Sequence, residues 1–211
     1  MSNFEAVHQT PSKTSEYIAY NITQILKFML NIFYGTKYAK RAVILETIAA
    51  VPGMVAGMLN HLKALRRLRD DEGWIRELLD EAENERMHLM IFLEVAKPTW
   101  VERTLVLLGQ GAFLVVYTLL YILSSKTAHR VVGYFEEEAC KSYTEFLEKI
   151  ENGEVENVAA PAIAISYYKL AEDARLMDVI LLIREDEAKH RDRNHEFADA
   201  FENNDLPSHQ Q

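Results

Sequence analysis

The sequence predicts an all-α fold, and three observations agree on it. Apolar residues recur at helical spacing along nearly all of the 211 residues. With only 8 Gly and 5 Pro, the chain has little turn chemistry for a sandwich or barrel of many short strands. Its single cysteine, Cys140, excludes an intrachain disulfide framework and a Cys-rich metal site. This length fits one domain, and the net charge of −9 argues against nucleic acid as a main partner.

Six helical stretches are predicted along the chain. In order, they cover residues 16–33, 37–70, 74–97, 100–123, 125–152 and 161–201, with a kink near Pro52 in the second and the last in one or two pieces. The third must end before Pro98, because the residue before a proline avoids the helical conformation. Ser124 offers an N-cap for the fifth, which ends at Gly153. We expect a flexible segment at 1–15, one bundle domain at 16–201 and a flexible tail at 202–211.

Two regions combine apolar, aromatic and basic residues. Residues 17–69 contain eight basic residues and one acid, and residues 97–135 contain four basic residues and one acid. This composition suits amphipathic helices that lie in the headgroup region of an anionic membrane. Two helices of the protein core whose ends are exposed to solvent would explain this composition equally well. Residues 104–125 are uncharged over 22 positions, which is long enough to span a bilayer.

Single carboxylates occupy apolar helix faces in two of the stretches. Glu46 is surrounded by alanine, valine, isoleucine and leucine, where a charge is costly unless something positive compensates it. A carboxyl that points to solvent or pairs with Arg41 is the alternative. Glu136 lies on the buried stripe of its helix, whereas Glu137 and Glu138 lie on other faces and are expected to be solvated.

Two Glu-x-x-His pairs complete the pattern, Glu85 with His88 and Glu187 with His190. The i,i+3 spacing puts both side chains of a pair on one helix face. A lone glutamate, a pair, a second lone glutamate and a second pair on four helices form the ligand set of a di-iron or di-manganese carboxylate bundle. Four carboxylates balance two divalent ions, and oxygen and imidazole ligands suit iron or manganese. A helical bundle with buried ion pairs is the alternative.

This ligand set argues against a single membrane span at residues 104–125. Such a span would put the helices of Glu85 and Glu136 on opposite sides of about 30 Å of hydrocarbon. Ligands of one metal cluster must meet within a few ångströms. The sequence therefore predicts a protein that lies on one leaflet.

Four segments resemble the signature motifs of the alternative oxidases, which are cyanide-insensitive di-iron ubiquinol oxidases. They are Leu45-Glu46-Thr47, Asn84-Glu85-Arg86-Met87-His88-Leu89, Glu136-Glu137-Glu138-Ala139 and Arg184-Glu185-Asp186-Glu187-Ala188-Lys189-His190. The resemblance covers residues 41–201. It implies a ferritin-like four-helix bundle with a di-iron carboxylate site, plus two amphipathic membrane-surface helices. The two iron ions would be held by Glu46, Glu85, His88, Glu136, Glu187 and His190.

The resemblance also implies an activity. Such an enzyme oxidises two ubiquinols and reduces dioxygen to two waters in the respiratory chain, without pumping protons. It would be a monotopic homodimer on one leaflet of a respiratory membrane. Because residues 1–15 look like neither a secretory signal nor a transit peptide, we expect a bacterial protein on the cytoplasmic side of the inner membrane. A eukaryotic protein would lie on the matrix side of the mitochondrial inner membrane.

Further roles come from the same resemblance. Tyr143, two helical turns after Glu136 on the same face, aligns with the family's redox-active tyrosine. The quinol pocket would include Arg41, Leu45, Phe135, Ala139, Ser142 and Tyr143. Asn84, Asp186 and Tyr167 would hydrogen-bond around the ligands. The dimer interface would include His61, Leu65, Arg66, Arg86, Leu89 and Gln110. From the residues alone, His61 and His129 are ordinary structural histidines.

The chain departs from the family at a few positions. Tyr167-Tyr168 stands where the family usually has Tyr-Trp, so the role of that tryptophan is in doubt. Ser142 replaces a threonine and Phe135 a leucine in the quinol pocket. The regulatory cysteines of plant members have no counterpart, which argues against control by a disulfide or by 2-oxo acids.

Two other functions are compatible with the sequence. One is another ferritin-like di-iron enzyme, such as a quinone-ring hydroxylase or a ferroxidase. A hydroxylase would add oxygen to its product, and a ferroxidase should lack basic, aromatic membrane-facing helices. The other is a non-enzymatic scaffold associated with a membrane, which should purify without iron and tolerate loss of all six ligands.

Overall fold

The chain is all-α in a computed structural model that describes residues 8–35 and 37–210. The helices of this part are α1 Thr14–Tyr34, α2 Tyr38–Arg67, α3 Trp74–Ala96, α4 Trp100–Leu123, α5 Ser125–Glu151, α6 Ala162–Tyr168 and α7 Leu176–Asn203. The one extended pairing among the described residues is an isolated bridge between Ala159 and Arg175. The predicted fold class is confirmed, and the last predicted stretch is divided into α6 and α7.

Four helices form the central bundle. The largest helix contacts join α2 to α3 and α5 to α7, and α2 also contacts α5. Each pair therefore combines a helix with a lone inward glutamate and a helix with a Glu-x-x-His motif. Ile91 and Phe92, which follow the motif on α3, pack in one apolar core with Val179, Ile180 and Ile183, which precede the motif on α7.

The α2 helix approaches α3 very closely at one glycine. It continues through Pro52, the site of the predicted kink, with helical structure on both sides. A Cβ atom on the next residue, Gly53, would lie 2.4 Å from the backbone oxygen of Leu78 and 3.0 Å from Cβ of Ala82. Only a glycine allows this approach, which brings Glu46 and Glu85 to the same side of their helix pair.

The helices α1 and α4 cover one side of the bundle. The first packs on α5, and the second packs on α2 and α5. Both α2 and α4 are long and apolar enough to cross a membrane, but 67% of the apolar stretch of α2 is buried in the protein, against 11% for α4. Within α4 only Tyr117 and Tyr121 are buried. The apolar surface of α4 is therefore free for contact with something other than this chain's core.

The segment at residues 205–210 lies against the ends of α2 and α3. Pro207 and His209 are buried. Arg69 donates a hydrogen bond to the backbone oxygen of Ser208, and Arg67 donates one to that of His209, both at 3.1 Å. These contacts join part of the predicted flexible tail to the bundle. Of the predicted flexible segment at 1–15, residues 1–7 lie outside the described residues.

Candidate metal centre

Four buried side chains meet in the middle of the bundle. One ligand atom from each of Glu46, Glu85, His88 and Glu187 lies within 4.8 Å of the others. The Nδ1 atom of His88 is 3.0 Å from Oε1 of Glu187 and 3.4 Å from Oε2 of Glu46. These residues come from α2, α3 and α7, so the group depends on the packing of three helices.

The remaining two predicted ligands adjoin this group. Nδ1 of His190 lies 2.6 Å from Oε1 of Glu85 and 3.8 Å from Oε2 of Glu187. Glu136 of α5 is 1% exposed, and its carboxyl lies close enough to Glu187 and Glu85 for their charges to raise its pKa. The structure thus brings all six predicted residues together, with one lone glutamate or one Glu-x-x-His pair from each bundle helix.

The electrostatics of this cluster favour a bound cation. Burial raises the pKa of Glu46 and of Glu136 well above its usual range, and the neighbouring charges of Glu187 and Glu85 raise both further. For His88 burial opposes the charged form, but the carboxylates of Asp186, Glu187, Glu46 and Glu85 around its ring raise its pKa well above the usual value. Without a metal, the cluster therefore holds protons in place of positive ions.

Unpartnered polar atoms provide a test of whether a metal pair fits. All six residues have buried oxygen or nitrogen atoms that make no well-formed hydrogen bond with the described part of the chain: Glu46, Glu85, His88, Glu136, Glu187 and His190. Buried polar atoms normally have partners. The atoms available as metal ligands are carboxylate oxygens and imidazole nitrogens. Burial raises the pKa of the nearby Cys140 to about 12, so its thiol stays protonated and is not a thiolate ligand. The residues fit a pair of divalent ions with oxygen and nitrogen ligands.

A second layer of polar groups surrounds His88 on its outer side. Asn84 donates to the hydroxyl of Tyr167 at 2.8 Å and to Oδ2 of Asp186 at 3.4 Å. These are the three residues expected from the resemblance. Tyr168 joins them, because its hydroxyl contacts both His88 and Asp186. By sequence alone, Tyr168 is notable only as a departure from the family pattern.

Tyr143 lies beside the cluster. Its side chain is 1% exposed, and its hydroxyl donates a hydrogen bond to Oε1 of Glu46. Its ring stacks on that of Phe92, with centroids 5.7 Å apart and planes at 9°. A redox role for this tyrosine stays a prediction.

A cleft of about 530 Å³ opens between α1, α2, α4 and α5. Arg41, Leu45 and Phe135 of the predicted quinol pocket line it. Leu45 and Phe135 directly precede Glu46 and Glu136, so the inner wall of the cleft is one residue away from two candidate ligands. The other predicted pocket residues are buried in α5 and are not among the described residues that line the cleft: Ala139, Ser142 and Tyr143.

The prediction that Glu137 and Glu138 are solvated is wrong. Glu137 is buried, and its carboxylate accepts a hydrogen bond from the backbone N–H of Gln9 at 2.9 Å and lies 3.1 Å from Nε2 of His195. Glu138 forms ion pairs with Lys27 of α1 and with Lys141. The α1 helix and the segment before it cover this face of α5, which helical periodicity within α5 could not reveal.

Glu81 is a further buried carboxylate, which was not predicted from the sequence. It lies one turn before Glu85 on the same face, which is the signal that could have revealed it. Nδ2 of Asn194 lies 3.0 and 2.9 Å from its two oxygens. The same asparagine contacts His129, which in turn contacts Tyr121. Burial raises the pKa of Glu81 to about 7.

The predicted dimer residues have mixed environments. His61, Leu65, Arg66 and Arg86 are exposed, Leu89 packs partly on the core, and Gln110 donates to the backbone oxygen of Thr47 at 3.2 Å. Their place at a subunit interface stays a prediction.

Comparison with known proteins decides the family. The family model described as alternative oxidase matches residues 1–199. The chain belongs to the alternative oxidase family. Among its relatives in the family, ubiquinol oxidase 1c, mitochondrial, of Arabidopsis thaliana is 55% identical over 192 residues, which are 91% of this chain and 58% of the relative. Ubiquinol oxidase 1, mitochondrial, of Nicotiana tabacum is 56% identical over 188 residues, 89% of this chain and 53% of the relative.

A fungal alternative oxidase relative gives a similar result. Ubiquinol oxidase, mitochondrial, of Batrachochytrium dendrobatidis is 54% identical over 193 residues, 92% of this chain and 61% of the relative. The chain thus spans between about half and three-fifths of the length of these relatives. They come from plants and a fungus and are named as mitochondrial proteins, so they lend no support to the predicted bacterial origin.

Proposed function

We propose that this member of the alternative oxidase family is a ubiquinol oxidase of a respiratory chain. It oxidises two quinols to two quinones and reduces one dioxygen to two waters at a di-iron centre, without moving protons across a membrane. The observation that carries the proposal is the group of buried glutamates and histidines next to an apolar cleft. The relatives named as ubiquinol oxidases support the choice of substrates.

We infer that two iron ions are held by the six side chains Glu46, Glu85, His88, Glu136, Glu187 and His190. When bound, the iron pair supplies the redox chemistry that dioxygen reduction requires. The four carboxylates neutralise the charge of two divalent ions, and the apolar bundle keeps bulk water away from them.

The cleft supplies the binding site for quinol. Its walls are mainly apolar, and Arg41 offers a cation to a quinol oxygen. One guanidinium nitrogen of Arg41 already donates to Asn31 at 2.8 Å, whereas its Nε atom has no hydrogen-bond partner among the described residues. Leu45 and Phe135 pack against the ring from the side of the metal centre, with Ala139 and Ser142 behind this wall.

Tyr143 is the proposed redox-active residue. Its hydroxyl proton is directed at Oε1 of Glu46. Dioxygen is the oxidant of the proposed reaction; if its reduction drew one electron from the ring, the phenol would become acidic and its proton would move along this hydrogen bond to the carboxylate. The residue can therefore give one electron and one proton without a free charge appearing in the core.

We infer that α1 and α4 lie in one leaflet and that the cleft between them receives quinol from the lipid. The exposed apolar residues of both helices support this arrangement. A homodimer would form on the side of α2 and α3 that includes His61 and Leu65. The mitochondrial relatives favour the matrix side of the inner membrane, and the cytoplasmic face of a bacterial inner membrane is the equivalent place.

Oxygen uptake tests the proposed function. The purified protein is loaded with iron and given a short-chain quinol in the presence of cyanide. We expect one dioxygen consumed per two quinols, with quinone as the only organic product. Glu136→Ala and Glu187→Ala should lose iron and activity, whereas Glu148→Ala, an exposed position on α5, should keep both.

Each alternative has a distinct outcome in this assay. A hydroxylated product would identify a quinone-ring hydroxylase, and oxidation of ferrous iron without use of quinol would identify a ferroxidase. Full iron loading with no oxygen uptake, or an active Glu136→Ala protein, would disprove the proposal. Purification without iron and tolerance to loss of all six ligands would indicate a scaffold.

A further inference from the structure

We propose that Tyr168 is a positioning residue that fixes His88 as a metal ligand through its Nδ1 atom. The inference rests on the proposed metal centre and adds a residue to it. Tyr168 is the last residue of the short helix α6, and its side chain reaches between α3 and α7. Its hydroxyl oxygen lies 2.9 Å from Nε2 of His88 and 2.9 Å from Oδ2 of Asp186.

The tyrosine hydroxyl bridges two groups that do not reach each other. Nε2 of His88 and Oδ2 of Asp186 are 3.6 Å apart, which is too long for a hydrogen bond. The rings of His88 and Tyr168 stack with centroids 6.5 Å apart and planes at 23°. The carboxylate of Asp186 therefore acts on the imidazole through the tyrosine.

The direction of these hydrogen bonds follows from which groups can donate a hydrogen and which can only accept one. Asp186 is paired with the ammonium of Lys189 at 3.0 Å, and an ionised carboxylate only accepts hydrogen bonds. Tyr168 must then donate its single proton to Asp186. The contact with His88 can only be a hydrogen bond that the tyrosine oxygen accepts, so Nε2 of His88 carries a hydrogen.

This direction selects the tautomer of His88. A neutral imidazole with hydrogen on Nε2 has its lone pair on Nδ1. That Nδ1 atom faces Glu187 and Glu46 at 3.0 and 3.4 Å, inside the candidate metal centre. A hydroxyl is suited to the bridge because it accepts and donates at once, whereas an indole N–H only donates.

Metal titration tests the inference without measuring activity. The metal-free protein is titrated with Co²⁺ in competition with a chelator. We expect Tyr168→Phe to bind one of two ions about 10–100-fold more weakly, the usual effect of removing an outer-shell partner. Tyr17→Phe is the matched control, because Tyr17 is an exposed tyrosine of α1 and should leave both affinities unchanged. Circular dichroism and thermal unfolding of the metal-free proteins check that each variant folds.

Two further measurements separate this role from a merely structural one. In a double-mutant cycle, Tyr168→Phe and Asp186→Ala should be non-additive, because both remove the same link to His88. In the zinc-loaded protein with ¹⁵N-labelled histidine, the Nε2–H of His88 should exchange slowly with solvent, and Tyr168→Phe should speed this exchange.

The outcomes distinguish this inference from the proposed function. If the unmodified protein binds two Co²⁺ ions and the Tyr168→Phe protein binds them equally tightly, only the role of Tyr168 is disproved. Coordination of His88 through Nε2 would also overturn it. If the unmodified protein binds no metal, the proposed function fails and the role of Tyr168 fails with it.

Discussion

Buried charge dominates the energetics of single residues in this molecule. The carboxylates of Glu46, Glu85, Glu136 and Glu187 are each about 1% exposed, and taking such ions out of water costs several kcal/mol each unless they are paired. Two protonated imidazoles balance only two of the four acids, so without a metal Glu46 and Glu136, whose pKa values are raised well above the usual range, take up protons as well. A bundle that keeps these four acids inward is therefore less stable than its apolar packing alone would allow, and cation binding recovers that free energy.

His129 shows how burial controls a titration away from the cluster. Burial lowers its pKa to about 4, although its hydrogen bond to Asn194 opposes this shift. In the unfolded chain the pKa returns to about 6.5. Between these two values the unfolded chain binds a proton that the folded chain does not bind.

The free energy of unfolding should therefore fall as the pH decreases from about 6.5 to about 4, by up to roughly 3 kcal/mol from this histidine. Urea unfolding of the unmodified and His129→Asn proteins over this pH range measures the effect. The variant lacks the titrating group, so its stability should depend less steeply on pH. Equal pH dependence of the two proteins would show that His129 is not responsible.

At the scale of elements, close packing of α2 on α3 sets the geometry of the centre. A side chain at Gly53 would collide with the backbone of α3, and backbone cannot move aside as a flexible side chain can. A small shift of α2 would also displace Glu46 relative to Glu85. Pro52 directly precedes this glycine and lies inside the same helix.

We expect Gly53→Ala to destabilise the protein by about 1–3 kcal/mol, because overpacking forces a backbone shift. Gly111→Ala is the matched control, since nothing lies within 4 Å of a Cβ atom at Gly111 on α4. It should stabilise that helix by about 0.5–1 kcal/mol, through the better helix propensity of alanine. Chemical denaturation measures both changes. A Gly53→Ala protein as stable as the unmodified protein would contradict the close approach.

At the scale of the whole molecule, the buried cluster of glutamates and histidines restricts how the proposed contact with a membrane can be made. A helix of 24 residues such as α4 is about 36 Å long at a rise of about 1.5 Å per residue. The two helices that it connects, α3 and α5, contribute Glu85 and Glu136 to one cluster. Both must lie on the same side of the membrane, so we infer that α4 rests on the surface of one leaflet.

Vesicle binding tests this orientation. Leu108→Glu, on the face of α4 where Leu108 is 66% exposed, should weaken binding to anionic vesicles by about tenfold or more, because an apolar contact worth about 1.5–3 kcal/mol is replaced by a repelled charge. Leu181→Glu is the control, since Leu181 is an exposed leucine of α7, outside the α1 and α4 surface. Equal losses in the two variants, or none in Leu108→Glu, would contradict the proposed membrane face.

Sequence patterns were sufficient to predict those features that depend on residues close together in the chain. Helix bounds follow from the period of apolar residues and from caps such as Ser124, and the i,i+3 spacing alone puts Glu85 and His88 on one face. The predicted bounds of α4, residues 100–123, match the structure. The order of the four acidic motifs likewise predicted which side chains would meet.

Tertiary contacts decided what covers each face. Glu137 is polar by sequence and yet buried, because a segment about 128 residues away in the chain lies over it. The hydrogen bond that Glu81 accepts from Asn194 depends on the packing of α7 against α3, and Tyr168 reaches His88 only because α6 folds back between α3 and α7. The lining of the cleft depends on four helices at once. Helical periodicity specifies the direction of a side chain within its own helix, whereas its burial and partners depend on helices that are distant in the chain.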